Sequence, residues 1–190
     1  MLPCYHTVKQ SGEHEITIQK SRFIAHLTRA ETENEAVEFI QTIKKQHWNA
    51  THNCSAYLIG EHDHIQKAND DGEPSGTAGV PILEVLKKRK LKDTVVVVTR
   101  YFGGIKLGAG GLIRAYGKAT SEGLDAVGIV ERRLSQIIHV KFEYTWLGKI
   151  EKELRGSDYK IKEIHYLDTV EVETYVDESQ VQSFRDWMIE

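Results

Sequence analysis

Apolar positions recur along this chain with two periods, and each period predicts a different element. Glu15–Gln19 reads EITIQ and Arg22–Leu27 reads RFIAHL, a period of two that predicts two strands or one bent strand. Thr32 precedes Glu35 at capping-box spacing, and Ala36, Val37, Ile40 and Ile43 then share one helical face, so a first helix is predicted over 33–46. Trp48 is expected to pack beneath that helix. Asn53–Ile59 (NCSAYLI), closed by Gly60, reads as a third strand, and 65–68 as a weak fourth. Pro81 suits the first turn of a second helix that turns Ile82, Val85 and Leu86 inward. The run Thr94–Thr99 is β-branched without alternation, which predicts a central strand covered on both faces. Leu112–Val127 predicts a third helix.

Gly128 marks the end of this first pattern. Beyond it, 137–144 (IIHVKFEY) alternates, 146–154 is amphipathic, and 159–166 and 169–176 alternate on either side of a two-residue turn. A last helix is predicted from Val181. The order β-α-β-β-α is a split βαβ unit that lacks its final strand. The fold class is therefore α+β with two domains, 1–133 and 134–190.

Composition adds limits. With 190 residues, 40% of them apolar, the chain can bury a core, and a 28% share of charged residues with three prolines argues against disorder. No apolar run reaches the ~20 residues that span a bilayer, and MLPCYHTVKQ lacks the basic start and apolar core of a secretory signal. Two cysteines fit a reducing compartment, so a cytoplasmic location is expected, with Cys54 a small buried hydrophobe.

The net charge of −3 conceals an asymmetry. Residues 84–118 hold nine cations (Lys87, Lys88, Arg89, Lys90, Lys92, Arg100, Lys106, Arg114, Lys118) against Glu84 and Asp93, a local +7 that can attract an anionic partner. The run Lys87–Lys92 reads equally well as the solvated end of a helix, where cations suit the macrodipole.

Candidate chemistry concentrates in 70–118. A glycine-dense loop follows the β-branched run: Arg100, Tyr101, Phe102, Gly103, Gly104, Lys106, Gly108, Gly110, Gly111 and Arg114. A P-loop requires Gly-Lys-Ser/Thr after its second glycine, whereas Ala109 and Gly110 follow Gly108. A dinucleotide fingerprint starting at Gly108 requires Gly or Ala where Ile113 stands. Backbone amides at a helix start can still cradle a phosphate, with Lys106 and Arg114 as flanking charges. Tyr101, Phe102 and Tyr116 interleave with these cations, as suits RNA, although one of the three aromatics is expected in the core. Upstream, Asp70, Asp71, Glu73 and Ser75 offer acid–base groups or hard-cation ligands, with His52, His62 and His64 nearby in sequence. Asp-Gly and Glu-Pro are also ordinary turn chemistry, and no zinc spacing is present, so no metal or cofactor is assigned.

These residues carry a resemblance. The stretch 70–79 (DDGEPSGTAG), Arg100–Gly104, Lys106–Gly108, and Gly110–Leu112 with Arg114–Tyr116 resemble the Impact family in its bacterial, YigZ-like branch; 52–57 (HNCSAY) is similar to that family's preceding strand. The resemblance implies an N-terminal α/β domain like the fourth domain of elongation factor G and a ferredoxin-like C-terminal domain like its fifth. The fold so implied suggests a link to nucleic acid or the ribosome; the translational-control role of eukaryotic relatives uses a different extra domain and is not carried over. The sequence thus supports an RNA- or ribosome-associated module in translational or stress regulation. The alternatives are a hydrolase of a phosphorylated small molecule or nucleotide, with Asp71 and Glu73 as acid–base or ligand groups, and a module that binds a regulatory protein.

Overall fold

In the computed structural model, which describes residues 2–189, the β-branched run becomes the middle of a sheet. Strand β1 is Cys4–Val8, β2 Gly12–Ile18, β3 Ser21–Arg29, β4 His52–Ile59, β5 Ile65–Asn69 and β6 Thr94–Tyr101. Five of these form one sheet in the order β2-β3-β6-β4-β5, every pairing antiparallel. Val95, Val96, Val97 and Val98 are all fully buried. Burial of a Val side chain is worth about 1.5–3 kcal/mol, so this four-residue run is a principal anchor of the unit.

Alternation along β6 divides the core in two. Val96 and Val98 join Phe23, Ala25, Leu27, Cys54, Ala56 and Leu58 beneath α2 (Gly79–Lys88) and α3 (Gly108–Val127). Val95 and Val97 join Tyr57 and Ile59 beneath α1 (Glu33–Gln46). Thr32 caps α1, its side chain accepting from the Glu35 amide. The buried stripe of α1 is Ala36, Ile40 and Ile43, while Val37 lies at its edge and is exposed. Trp48 also differs from expectation, being 82% exposed. A turn follows the helix, with the Ala50 amide donating to the His47 carbonyl, and His47 takes the inner position instead, packing on His26 at 4.9 Å.

Helix α3 begins at Gly108, four residues before the predicted start, so the second half of the glycine loop is its first turn. Two short strands escaped the pattern, β1 and β7 (Ile129–Arg133), which pair with each other. Each is five residues long with few apolar positions, too little for a period to show.

The chain divides into two compact units, Cys4–Arg132 and Arg133–Glu190 with Met1–Pro3. In the second, β8 (Ser135–Phe142), α4 (Leu147–Arg155), β9 (Lys160–Tyr166), β10 (Val170–Asp177) and α5 (Val181–Ile189) follow in order. The sheet order β8-β10-β9 is that of a ferredoxin-like split βαβ fold without its fourth strand. Among the described residues, β8 has a strand on one edge only. Leu154 of α4 and Phe184 of α5 bury Val170, Val172 and Val176 on one face of this sheet.

Candidate functional site

Register places three side chains side by side at one end of the main sheet. Phe23 on β3 and His52 on β4 both stand opposite Arg100 on β6. By alternation all three continue the sheet face that α2 and α3 cover, one step beyond Val98 and Cys54. The acidic turn and the glycine loop meet above this row, around a cavity of about 400 Å³. His52, Glu73, Arg100, Phe102 and Lys106 line it, together with Gly108 and Ala109 at the start of α3.

The acidic turn is largely committed to the fold. Asp70 Oδ1 accepts from the amides of Ala78 and Gly79 (3.1 and 2.8 Å), and Oδ2 from that of Gly76 (2.8 Å). Burial pushes the Asp70 carboxyl upward, but these amides outweigh it and hold the group below its ordinary value. Asp71 accepts from Lys44 Nζ (2.6 Å) and from the Asn53 amide (2.7 Å), and these two outweigh its burial to lower its pKa as well. Gly79 lies against β5 so closely that a Cβ would stand 2.5 Å from the Asn69 nitrogen. Ser75 is exposed. His62 and His64 are exposed in the β4–β5 turn, and Asp63 between them pairs with Lys92 at 2.6 Å.

Glu73 is the acidic residue that enters the cavity, and its carboxylate is buried. Its Oε1 accepts from Arg100 Nη1 and from the Tyr116 hydroxyl, both at 2.7 Å, while Oε2 lies 3.6 Å from His52 Nε2. Arg100 therefore does not stand on the surface as a phosphate contact. It is 5% exposed, ion-paired with Glu73, and sandwiched by Phe23 and Phe102 at 5.5 and 5.4 Å from its guanidinium carbon. Among the described residues its Nε has no hydrogen-bond partner. Tyr116 is fully buried, and burial together with Cys54 and Glu73 drives its hydroxyl far above its ordinary pKa. Burial likewise pushes the Cys54 thiol up to about 12, so it is an inert core group.

The glycine loop is committed only at its beginning. Gly103 crosses the β2–β3 turn, where a Cβ would collide with the Lys20 carbonyl, and its amide donates to Ser21 Oγ. Gly104 and Gly108 both have positive φ, and a Cβ added at either would meet nothing within 4 Å. No side chain caps α3, so the amides of its first turn are available. Tyr101 is half-buried, its ring under Arg22 and its hydroxyl 2.8 Å from His47 Nδ1; it leaves Phe102, 47% exposed, as the free aromatic surface.

The +7 segment does not form one patch. Lys87, Arg89, Lys92, Arg100 and Lys118 each have a carboxylate partner. Lys88 and Lys90 lie before the start of β6 and Lys106 beyond its end, roughly 25 Å away at ~3.3 Å per strand residue, while Arg114 stands on α3 outside the residues that line the cavity. Of this segment, and among the described residues, Lys106 is the exposed, unpaired cation that lines the cavity, and Arg114 is exposed and unpaired on the helix that begins there.

Sequence reasoning offered His52 only as one of three histidines near the acidic residues, with nothing to prefer it to His62 and His64. Its signal was positional: the first residue of a strand whose next inward residue is the buried Cys54. Other convergent donors lie in the second unit, as His139 with Glu171 and Glu173, and Glu163 with His165 and Glu173. These are cross-strand neighbours, and Glu173 already accepts from Lys162.

Comparison with known proteins places these residues in a family context. The model of the Impact N-terminal domain matches residues 19–124, and the Domain of unknown function (DUF1949) matches 140–190. The chain is 72% identical over 190 residues to IMPACT family member YvyE of Bacillus subtilis (strain 168), spanning 100% of this chain and 88% of that protein. IMPACT family member YigZ of Escherichia coli (strain K12) is 37% identical over 146 residues, or 76% of this chain and 72% of that one. A solved structure described as a hypothetical protein superposes with a TM-score of 0.68 at 30% identity, covering 97% of this chain and 90% of the other. Among the described residues, no helix is long and apolar enough to cross a membrane.

Proposed function

The chain belongs to the Impact family, and we propose that it is an RNA-associated regulatory module that recognises a phosphorylated nucleotide unit in the cavity between its two motifs. One observation carries this reading: the uncapped start of α3 and Lys106 line the same cavity, with the aromatic ring of Phe102 beside them. A phosphate at the α3 start receives backbone N–H donors and the positive end of the helix dipole. Lys106 adds a full charge, and Arg114, six residues along α3, reaches a neighbouring phosphate. Phe102 offers a ring on which a base stacks, worth about 1–3 kcal/mol.

The cavity size favours one nucleotide unit over a broad duplex surface. Cytoplasmic location and a role in translational or stress regulation belong to this reading, since RNA is the partner it requires. Fluorescence anisotropy with short single-stranded RNA tests it. Affinity is expected to fall steeply with salt, and Lys106→Glu with Arg114→Glu is expected to weaken binding at least ~10-fold. Unchanged affinity in that variant refutes the reading.

The hydrolase alternative loses its metal-ligand version at Asp71, whose two oxygens are already taken by Lys44 and Asn53. It keeps the pair of His52 and Glu73.

A further inference from the structure

His52 is held in a manner that its place in the sheet does not require. Its Nδ1 lies 2.8 Å from the Asp71 carbonyl oxygen. A carbonyl only accepts, so Nδ1 carries the proton and the ring orientation is fixed. That leaves Nε2 beside Oε2 of Glu73, the oxygen that neither Arg100 nor Tyr116 uses. Imidazole and carboxylate thus stand together in the cavity that also holds Lys106 and the α3 start, the imidazole oriented by the Asp71 carbonyl.

We propose that His52 is the proton-transfer residue of an RNA phosphodiester cleavage in this cavity, an activity that rests on the RNA reading above. RNA brings its own nucleophile, the 2′-hydroxyl next to each phosphate. His52 Nε2 removes that proton, O2′ bonds to phosphorus, and the P–O5′ bond breaks with its electron pair leaving on O5′. The proton returns from the imidazolium to O5′. The products are a 2′,3′-cyclic phosphate and a 5′-hydroxyl, with no oxidant, reductant or added reactant. Lys106 and the amides of the first α3 turn face the charge that builds on the phosphoryl oxygens. Glu73 is a positioning residue: it stabilises the imidazolium and is itself held by Arg100.

The test uses the full chain with end-labelled single-stranded RNA, and a matched strand carrying 2′-deoxyribose throughout, in buffer with chelator. The expected result is cleavage of the ribose strand to 2′,3′-cyclic phosphate ends, and binding without cleavage of the deoxy strand. His52→Asn retains a donor for the Asp71 carbonyl but lacks Nε2. It is expected to slow cleavage at least ~100-fold while the variant remains folded and still binds RNA. Glu73→Gln is expected to shift the pH profile of cleavage rather than abolish it. RNA bound but never cleaved overturns the proposal and leaves the binding reading intact. Cleavage by His52→Asn at the wild-type rate also overturns it. No binding of either strand overturns both.

Discussion

The acidic turn and the glycine loop border the same cavity, yet they use their polar groups in opposite ways. In the turn, Asp70 satisfies three backbone amides, Asp71 joins Lys44 to β4, and Glu73 neutralises a buried guanidinium. In the loop, past Gly103, Lys106, Arg114 and the first amides of α3 have no such partners among the described residues. The carboxylates look like ligands in sequence but mostly build the wall of the site. The glycines look like filler but leave the donors free. A charged motif becomes functional through what its neighbours leave unsatisfied.

The greatest loss should follow removal of the central carboxylate of the turn. Glu73→Ala strands the Arg100 guanidinium inside the protein and is expected to cost about 3–5 kcal/mol, measured by urea unfolding. Little change would mean that the turn is not scaffold, and the contrast with the loop would disappear. Asp70→Ala removes the acceptor for three amides and should cost about 1–3 kcal/mol in the same experiment.

Acid titration separates the scaffold groups from one another, because they respond in different windows. Burial, with His47 nearby, lowers the His26 pKa to about 4, with Glu13 opposing. The unfolded chain therefore takes up this proton first. Stability is complete above about 6.5 and declines as pH falls toward 4, by up to about 3 kcal/mol. His26→Gln should flatten that decline. Asp70 and Asp71 are lowered instead below 3.8, so their contribution is lost only in stronger acid, and Asp70→Asn should flatten the decline in that lower window. Thermal melts from pH 8 to pH 2 measure both.

Much of this architecture was legible. The uninterrupted β-branched run marked a strand buried on both faces, and the Thr32 cap with its following period marked α1 over its full span. The C-terminal alternation led to a split βαβ order, which the strand order shows. The site was legible only by motif. The cations of 84–118 appeared as one cluster because sequence distance does not register that β6 separates them into two ends. Arg100 appeared exposed because a charged residue after four valines looks like a strand leaving the core; its partner lies 27 residues upstream. Cross-strand register, which puts His52 and Phe23 against Arg100, is invisible to a one-dimensional pattern.

The slightest change in stability belongs to the loop, and it carries the most weight. Lys106→Glu with Arg114→Glu touches no folded-state partner among the described residues and should shift unfolding by no more than about 0.5 kcal/mol. The decisive measurement is single-stranded RNA affinity of this variant and the wild type across a series of salt concentrations. At least a ~10-fold loss at low salt is predicted, with a salt slope shallower by about 1.4, the release expected from two phosphates. Equal affinities and parallel slopes would show that the donors left free by the glycine loop are not where RNA binds.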